Sequence, residues 1–354
     1  MKNTKLYAWS CDFSSNTGEG ILSQNFCKTF SNKEKFLIKL SSPHLSADIY
    51  NSKIKFTKRK KLIINVKFLH YVYPFVGIVI LWLHFFFGRK VMYLNYLPLW
   101  NFLIFILLPP KTVLGPITGG SQIQKNKNNL IRKYLFPQFY KISLFILNIR
   151  QKKFLFSTNL LKKFIDNKTQ KKSFFLFCLN ILEEKIKIKK KQKGKIDILF
   201  YYNRHPHKFN QRIIKLINDL SKHNIKIACV GENFPNKKII NFGKVSRHKV
   251  WEVMSISKIS LMNSENFLSI YLLDCIKCNL KIFCNLKEFT YFKKYFFRES
   301  FFIYDRFKDD KKIIQYILSS INKPKRIKKT FNFKNYVKKI NKKNLNYFSS
   351  LLVK

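Results

Sequence analysis

Acidic residues are scarce in this chain of 354 residues. Only 18 Asp and Glu stand against 69 Lys and Arg, a formal net charge of +51. Glycine and proline are also few, 10 of each. The surplus falls on Lys, Ile, Asn and Phe, all encoded by A/T-rich codons, so compositional drift competes with a polyanionic partner as its cause. The lysines are scattered, and no element carries a basic stripe interleaved with aromatics, which argues against a nucleic-acid-binding protein. Cysteines number seven, an odd count, and the opening MKNTKLYAWSCDF lacks the apolar core of a secretory leader. Reduced thiols in the cytoplasm are the expectation. Cys275-x-x-Cys278 has no second CxxC and no His pair at zinc-finger spacing, so it reads as two buried thiols on a helix. There is no G-x-G-x-x-G, no Walker A motif and no Asp-x-Asp, which removes the dinucleotide and P-loop fingerprints. No short repeat is present, so the chain is not a solenoid.

What the chain does have is a core: hydrophobic residues make up 46% and aromatics 16%, which excludes a disordered polyelectrolyte. Strand-like runs alternate with helix-like ones along most of it. NTKLYAWSCDF reads as a strand, SSNTGEGIL as a glycine turn, LSQNFCKTF as a helix and KEKFLIKLSS as a second strand. Residues 49–66 are basic and weakly patterned, a loop and a strand. VMYLNYLPL reads as a strand, WNFLIFILL as a short helix, and KTVLGPITGG as one strand ending in a glycine turn. NLIRKYLFPQFYKISLFILNIRQ is helical on both sides of Pro137, and KKFLFSTNLL is again a strand. This rhythm predicts a mainly parallel sheet covered on both faces.

Residues 68–87 carry no Lys, Arg, Asp or Glu and reach the length of roughly 20 residues that a membrane span needs. The segment also holds His70, Pro74, Gly77 and His84. A span there would sever the strands on either side, and both flanks are basic, so charge supplies no orientation. A buried helix, or one resting on a membrane face, is expected instead.

The organisation predicted is an N-terminal Rossmann-like domain over 1–175, a basic linker over 176–195, a second Rossmann-like domain over 196–330 and a basic helix over 331–354. In the second domain DILFYYN, IKIACVGE, ISLMNS and LKIFCN read as strands. RIIKLINDLSKH, KVWEVMSISK and LSIYLLDCIKC read as helices. Arg204 and Lys208 then fall on the turn between the first strand and the first helix. That turn lies at the carboxyl edge of an open α/β sheet, where ligands bind and a helix N-terminus favours anions. A solvated basic loop is the bland alternative. In the first domain Gly18, Glu19 and Gly20, and the Gly119–Gly120 turn, lie at strand ends where glycine permits close backbone approach.

The order of these segments resembles the GT-B glycosyltransferases, in particular the retaining family 4-like group. The likeness runs through Arg204 and Lys208, IKIACVGE, FGKVSRHKVWEVMSISKISLMNSEN and LLDCIKCNLKIF, and is firmest over residues 196–285. It implies an α/β fold of two Rossmann-like parallel-sheet domains facing across a cleft. It also implies transfer of a sugar, with retention, from a nucleoside-diphosphate sugar to a hydroxyl of a lipid-linked or cell-surface polysaccharide. Arg204 and Lys208 would take the diphosphate, an electrostatic role often dominant in catalysis. Glu265 would meet the donor sugar and Asp274 the ribose hydroxyls, with Asn266, Phe267, Gly231 and Glu232 completing the donor site. Here the motif is Glu-x8-Asp, one residue longer than the family's Glu-x7-Glu. Gly18, Glu19, Gly20, Gly119 and Gly120 would serve the acceptor. Neither a metal nor a cofactor is implied. The run 68–87 and the lysines predict a peripheral protein on an anionic membrane surface. Two alternatives are a non-catalytic GT-B-like protein and a nucleic-acid-binding protein.

Overall fold

The structure, a computed structural model, describes residues 5–13, 18–34, 36–59, 69–94, 97–118, 134–157, 159–175, 195–203, 211–262, 269–286, 289–290, 301–303 and 309–322. The chain divides into two compact units, Met1–Glu183 with Lys334–Lys354, and Glu184–Phe333.

The first unit begins β1 (Lys5–Trp9), α1 (Gly18–Glu34), β2 (Leu37–Ser41), β3 (Leu45–Tyr50), β4 (Lys53–Arg59), α2 (Leu69–Phe86) and β5 (Lys90–Tyr93). There follow β6 (Leu97–Pro98), α3 (Phe102–Leu107), β7 (Val113–Leu114), β8 (Ile117–Thr118), α4 (Phe136–Arg150), β9 (Phe154–Phe156), a 3₁₀ turn (Asn159–Phe164), α5 (Asn167–Lys171) and β10 (Ser173–Phe175). One sheet runs β4-β3-β2-β1-β5-β7 and a second β10-β9-β8-β6. β1 is parallel to β2 and β5, whereas β3 runs antiparallel to both of its neighbours, β2 and β4. Alternation along β1 and β5 splits the core, as the two-residue period of a strand requires. Leu6, Ala8 and Met92 pack with Phe26 and Phe30 of α1, while Trp9, Val91 and Tyr93 pack with Ile78 and Leu81 of α2.

One sequence expectation changes here and two gain detail. Residues 49–59 supply the turn and outer strand of a hairpin, the loop and strand expected there: Asn51 and Ser52 both take positive φ, 45° and 63°, the two-residue turn whose twist suits paired strands. Its outer strand is lysine-rich, as exposed edges are, and this masks its pattern. KTVLGPITGG forms two strands, because Pro116 has no N–H for a ladder. Gly115 N donates to Tyr93 O in the first sheet, and Pro116 O accepts from Leu97 N in the second. Finally, α4 places Pro137 in its first turn, where a missing N–H costs nothing.

Within segment 68–87, Leu69–Phe86 folds as α2. Gly77 lies so close to β1 that a Cβ there would meet the Trp9 ring at 2.1 Å. Among the described residues no helix is long and apolar enough to cross a membrane.

The second unit follows the predicted rhythm: β11 (Ile196–Tyr202), α6 (Gln211–Leu220), β12 (Ile227–Gly231), β13 (Ile240–Asn241), α7 (Arg247–Ser255), β14 (Ser257–Leu261), α8 (Ile270–Lys277), β15 (Lys281–Cys284), β16 (Phe301–Ile303) and α9 (Asp310–Asn322). The sheet order is β13-β12-β11-β14-β15-β16 and every pairing is parallel. Counted from its first strand this is the 3-2-1-4-5-6 order of a doubly wound nucleotide-binding sheet. α6 shows how its helices cover the sheet: Ile213, Leu216, Ile217 and Leu220 are buried, while Arg212 and Lys215 face outward and pair with Asp310 at 3.2 and 3.1 Å.

Candidate functional site

Strand order reverses between β11 and β14, which lie side by side with Phe200 opposite Leu261. In sheets of this kind the crevice outside the strand ends at the reversal is where ligands sit. β11 ends at Tyr202 and β14 at Leu261. Arg204 and Lys208 follow the first of these strands in sequence, and Glu265, Asn266 and Phe267 follow the second. These five residues lie outside the described residues, as do Gly119 and Gly120.

The neighbouring strand β12 supplies the described part of the site. It ends at Gly231, whose φ is +106°, and a Cβ there would stand 2.3 Å from Tyr202 O. Only glycine meets both conditions. The loop beyond is held closed by its own hydrogen bonds. Gly231 N donates to Gly243 O at 3.0 Å and Glu232 N to Tyr202 O at 2.9 Å. Asn241 accepts from Phe234 N at 2.8 Å and donates to Phe234 O at 3.1 Å. The result is a concavity of about 500 Å³, lined among the described residues by Gly231, Glu232, Asn233, Gly243 and Lys244. Lys244 pairs with Glu232 at 3.3 Å. Lys244 is exposed and Glu232 half-buried, so the pair contributes little to stability. Beneath the loop, burial pushes the Cys229 thiol up to about 12. Burial also raises Cys275, so neither thiol is poised as a nucleophile. Tyr201 is raised by burial first and then by the charge of Glu232.

Asp274 sits on α8, 2% exposed. Both its carboxylate oxygens are taken by Arg247, whose Nε and Nη2 donate at 3.0 and 2.8 Å. The guanidinium also lies 4.9 Å from the centre of the Trp251 ring. Sequence reasoning placed Asp274 in the donor set but missed Arg247, which comes four residues after Gly243. Its signal was the FGKVSR turn, whose Ser246 caps α7 by accepting from Lys249 N. α8 is capped likewise by Ser269, which accepts from Leu272 N.

In the first unit, Gly18, Glu19 and Gly20 form the first turn of α1 and are not a free loop. Glu19 suits that position, since a helix N-terminus favours an acid. Its charge contributes to raising the Cys11 thiol and the Tyr93 phenol, both of which are raised chiefly by burial.

No protein-family model matches the chain, and no curated protein matches it in sequence. Solved structures do match it in fold. UDP-GlcNAc 2-epimerase from Methanocaldococcus jannaschii, in complex with UDP-GlcNAc and UDP, matches at a TM-score of 0.52 and 11% identity, over 96% of this chain and 98% of that one. The UDP-GlcNAc 2-epimerase of Neisseria meningitidis bound to UDP-GlcNAc matches at 0.51 and 10%, over 97% and 100%. Anabaena HepE in complex with UDP matches at 0.50 and 8%, over 98% and 95%. The fold is therefore α/β with Rossmann-like parallel-sheet domains, of the GT-B kind. Two of these three proteins are UDP-GlcNAc 2-epimerases solved with UDP-GlcNAc, and the third was solved with UDP.

Proposed function

We propose that the chain binds a nucleoside-diphosphate sugar in its second unit and transfers the sugar, with retention, to a hydroxyl of a lipid-linked or cell-surface polysaccharide acceptor. The observation that carries this reading is the strand reversal between β11 and β14. It puts the segment with Arg204 and Lys208 and the segment with Glu265 after adjacent strands of a nucleotide-binding sheet. Binding of UDP or UDP-sugars by the proteins of similar fold supports the donor class. Arg204 and Lys208 take the diphosphate and offset the charge that grows on it as the anomeric C–O bond breaks. Glu265, Asn266 and Phe267 hold the sugar. Gly231 and Glu232, with Gly243 and Lys244, hold the nucleoside. Asp274 serves the donor site by anchoring Arg247. Gly18, Glu19, Gly20, Gly119 and Gly120 serve the acceptor. No metal or other cofactor enters this scheme.

A second reading, a GT-B-like protein without catalysis, is favoured by the full engagement of Asp274 with Arg247. Thermal-shift titration against UDP-, GDP- and ADP-sugars, followed by product analysis, separates the two. A ligand at a hundred times its dissociation constant adds about 2.7 kcal/mol. Binding with release of the nucleoside diphosphate and a new glycoside supports transfer. Binding without turnover supports the second reading, an epimerised donor replaces transfer with isomerisation, and no binding refutes the donor site.

A further inference from the structure

We propose that α2, α3 and α4 together form a docking face for an anionic lipid bilayer. This goes beyond the nucleotide-sugar reading and does not depend on it. Each of these helices is apolar on two faces. The inner faces are accounted for: Ile78 and Leu81, Ile104 and Phe105, and Leu144 and Leu147 are buried in one core. The outer faces are apolar as well. Val79, Leu83 and Phe86 of α2 are 60%, 56% and 76% exposed, Ile106 of α3 is 46% exposed, and Phe145 and Ile149 of α4 are 68% and 69% exposed. Of 20 well-exposed large apolar side chains among the described residues, 16 lie on these three helices or within two residues of their ends and only two, Ile240 and Leu286, lie in the second unit. Composition alone does not produce this, because α6 of the same chain turns charged residues outward. A helix that is apolar all round calls for an apolar neighbour on its outer side.

The three helices form one layer. Trp82 Nε1 of α2 donates to Leu107 O of α3 at 2.6 Å. Arg150 of α4 donates to the carbonyls of Phe105, Ile106 and Leu108 at the end of α3. Phe102 and Phe139 rings meet at 5.4 Å.

Charge identifies the occupant. Residues 49–165 contain no Asp or Glu and 20 Lys or Arg. Arg89 and Lys90 stand exposed at the end of α2, Lys111 after α3, and Lys141 on α4 beside the apolar stripe. A second copy of the chain docked on this face through a two-fold axis would set the same cations against one another. An anionic bilayer answers both parts of the surface: apolar side chains enter the acyl boundary and the cations meet the headgroups. Because no described helix is long and apolar enough to cross, the layer lies on the membrane.

The test is co-sedimentation of the full chain with vesicles of phosphatidylcholine alone or mixed with phosphatidylglycerol, at low and high salt. Binding should require the anionic lipid and weaken with salt. The double variant Val79→Asp with Phe145→Asp should bind roughly tenfold more weakly with an unchanged thermal melt. Phe145→Ser is the milder variant should the double one melt early. Absence of binding to anionic vesicles, or equal binding by the variants, overturns the proposal. So does light scattering that shows a dimer which the variants dissociate, since the face then belongs to a second copy. Nucleoside-diphosphate binding, measured on the same samples, reports on the donor site alone.

Discussion

Arg247 grips Asp274 across 27 residues of chain, with Nε and Nη2 each on a separate carboxylate oxygen at 3.0 and 2.8 Å. The side chains are only 19% and 3% exposed, so this pair behaves as a buried one. Removing one partner leaves the other charge without compensation. Arg247→Ala or Asp274→Ala should each cost about 3–5 kcal/mol in urea unfolding. Arg247→Met combined with Asp274→Leu should cost clearly less than the sum of the two single changes. Additive single changes would show that the fork is not a coupled unit.

Gly231 combines a φ of +106° with a backbone oxygen 2.3 Å from where a Cβ would stand. Gly243 has a φ of +67°, but a Cβ there would stand 3.6 Å from the Asn233 side-chain oxygen, an ordinary contact. Gly231→Ala should therefore cost more than about 2 kcal/mol, and Gly243→Ala roughly 1 kcal/mol. Equal losses in thermal unfolding would show that the clash with Tyr202 is relieved by backbone movement.

Trp9 and Gly77 are a matched pair. Gly77→Ala drives a methyl into the indole and should destabilise the first unit by about 1–3 kcal/mol. Trp9→Ala should cost about 3–5 kcal/mol through its cavity. In the Trp9→Ala background the Gly77 change should become neutral or favourable, since alanine is the better helix former. A double-mutant cycle by thermal denaturation checks it.

Asp310 is held below the usual carboxylate range, first by the hydrogen bond from Lys215, which with the bond from Arg212 outweighs the opposing effect of burial. Asp166 is lowered chiefly by the backbone N–H of Thr169, which it caps. A depressed folded pKa means that the unfolded state takes up protons first as pH falls. The stabilisation from both groups is therefore complete above the unfolded carboxylate range, about pH 4, and is lost as pH drops through the lower folded values. Asp310→Asn should flatten the acid limb of the stability–pH curve. An acid limb identical to that of the parent would exclude Asp310 as a contributor.

Arg204→Ala and Lys208→Ala should each weaken nucleoside-diphosphate binding by roughly 1.5–3 kcal/mol, the worth of a charge-assisted contact, with little change in melting temperature. Calorimetric titration reads this directly. Parent-like affinity in both variants would remove them from the donor site.

Much of the second unit was legible in its residues. β11, α6, β12, α7, β14, α8 and β15 each fill a run long enough to declare its period, as Ile213, Leu216, Ile217 and Leu220 do for α6. β13 and β16 have two and three residues, too short for any pattern. The break in KTVLGPITGG turns on which sheet the neighbouring amides join, and no local signal carries that. IKIACVGE was read as a strand with a following glycine, and β12 ends at Gly231. Arg247 was missed because its partner lies 27 residues away on another helix.

The residues by themselves determined the alternation of strands and helices and the placing of Arg204, Lys208 and Glu265 after particular strands. Those features depend on hydrophobic period and chain order, which are local. Only the tertiary structure decided that β14 returns to the other side of β11, that Asp274 is paired with Arg247, and that one face of α2 packs on β1 while the other is left uncovered. Each is a choice between distant surfaces, settled by which burial and pairing the whole sheet permits.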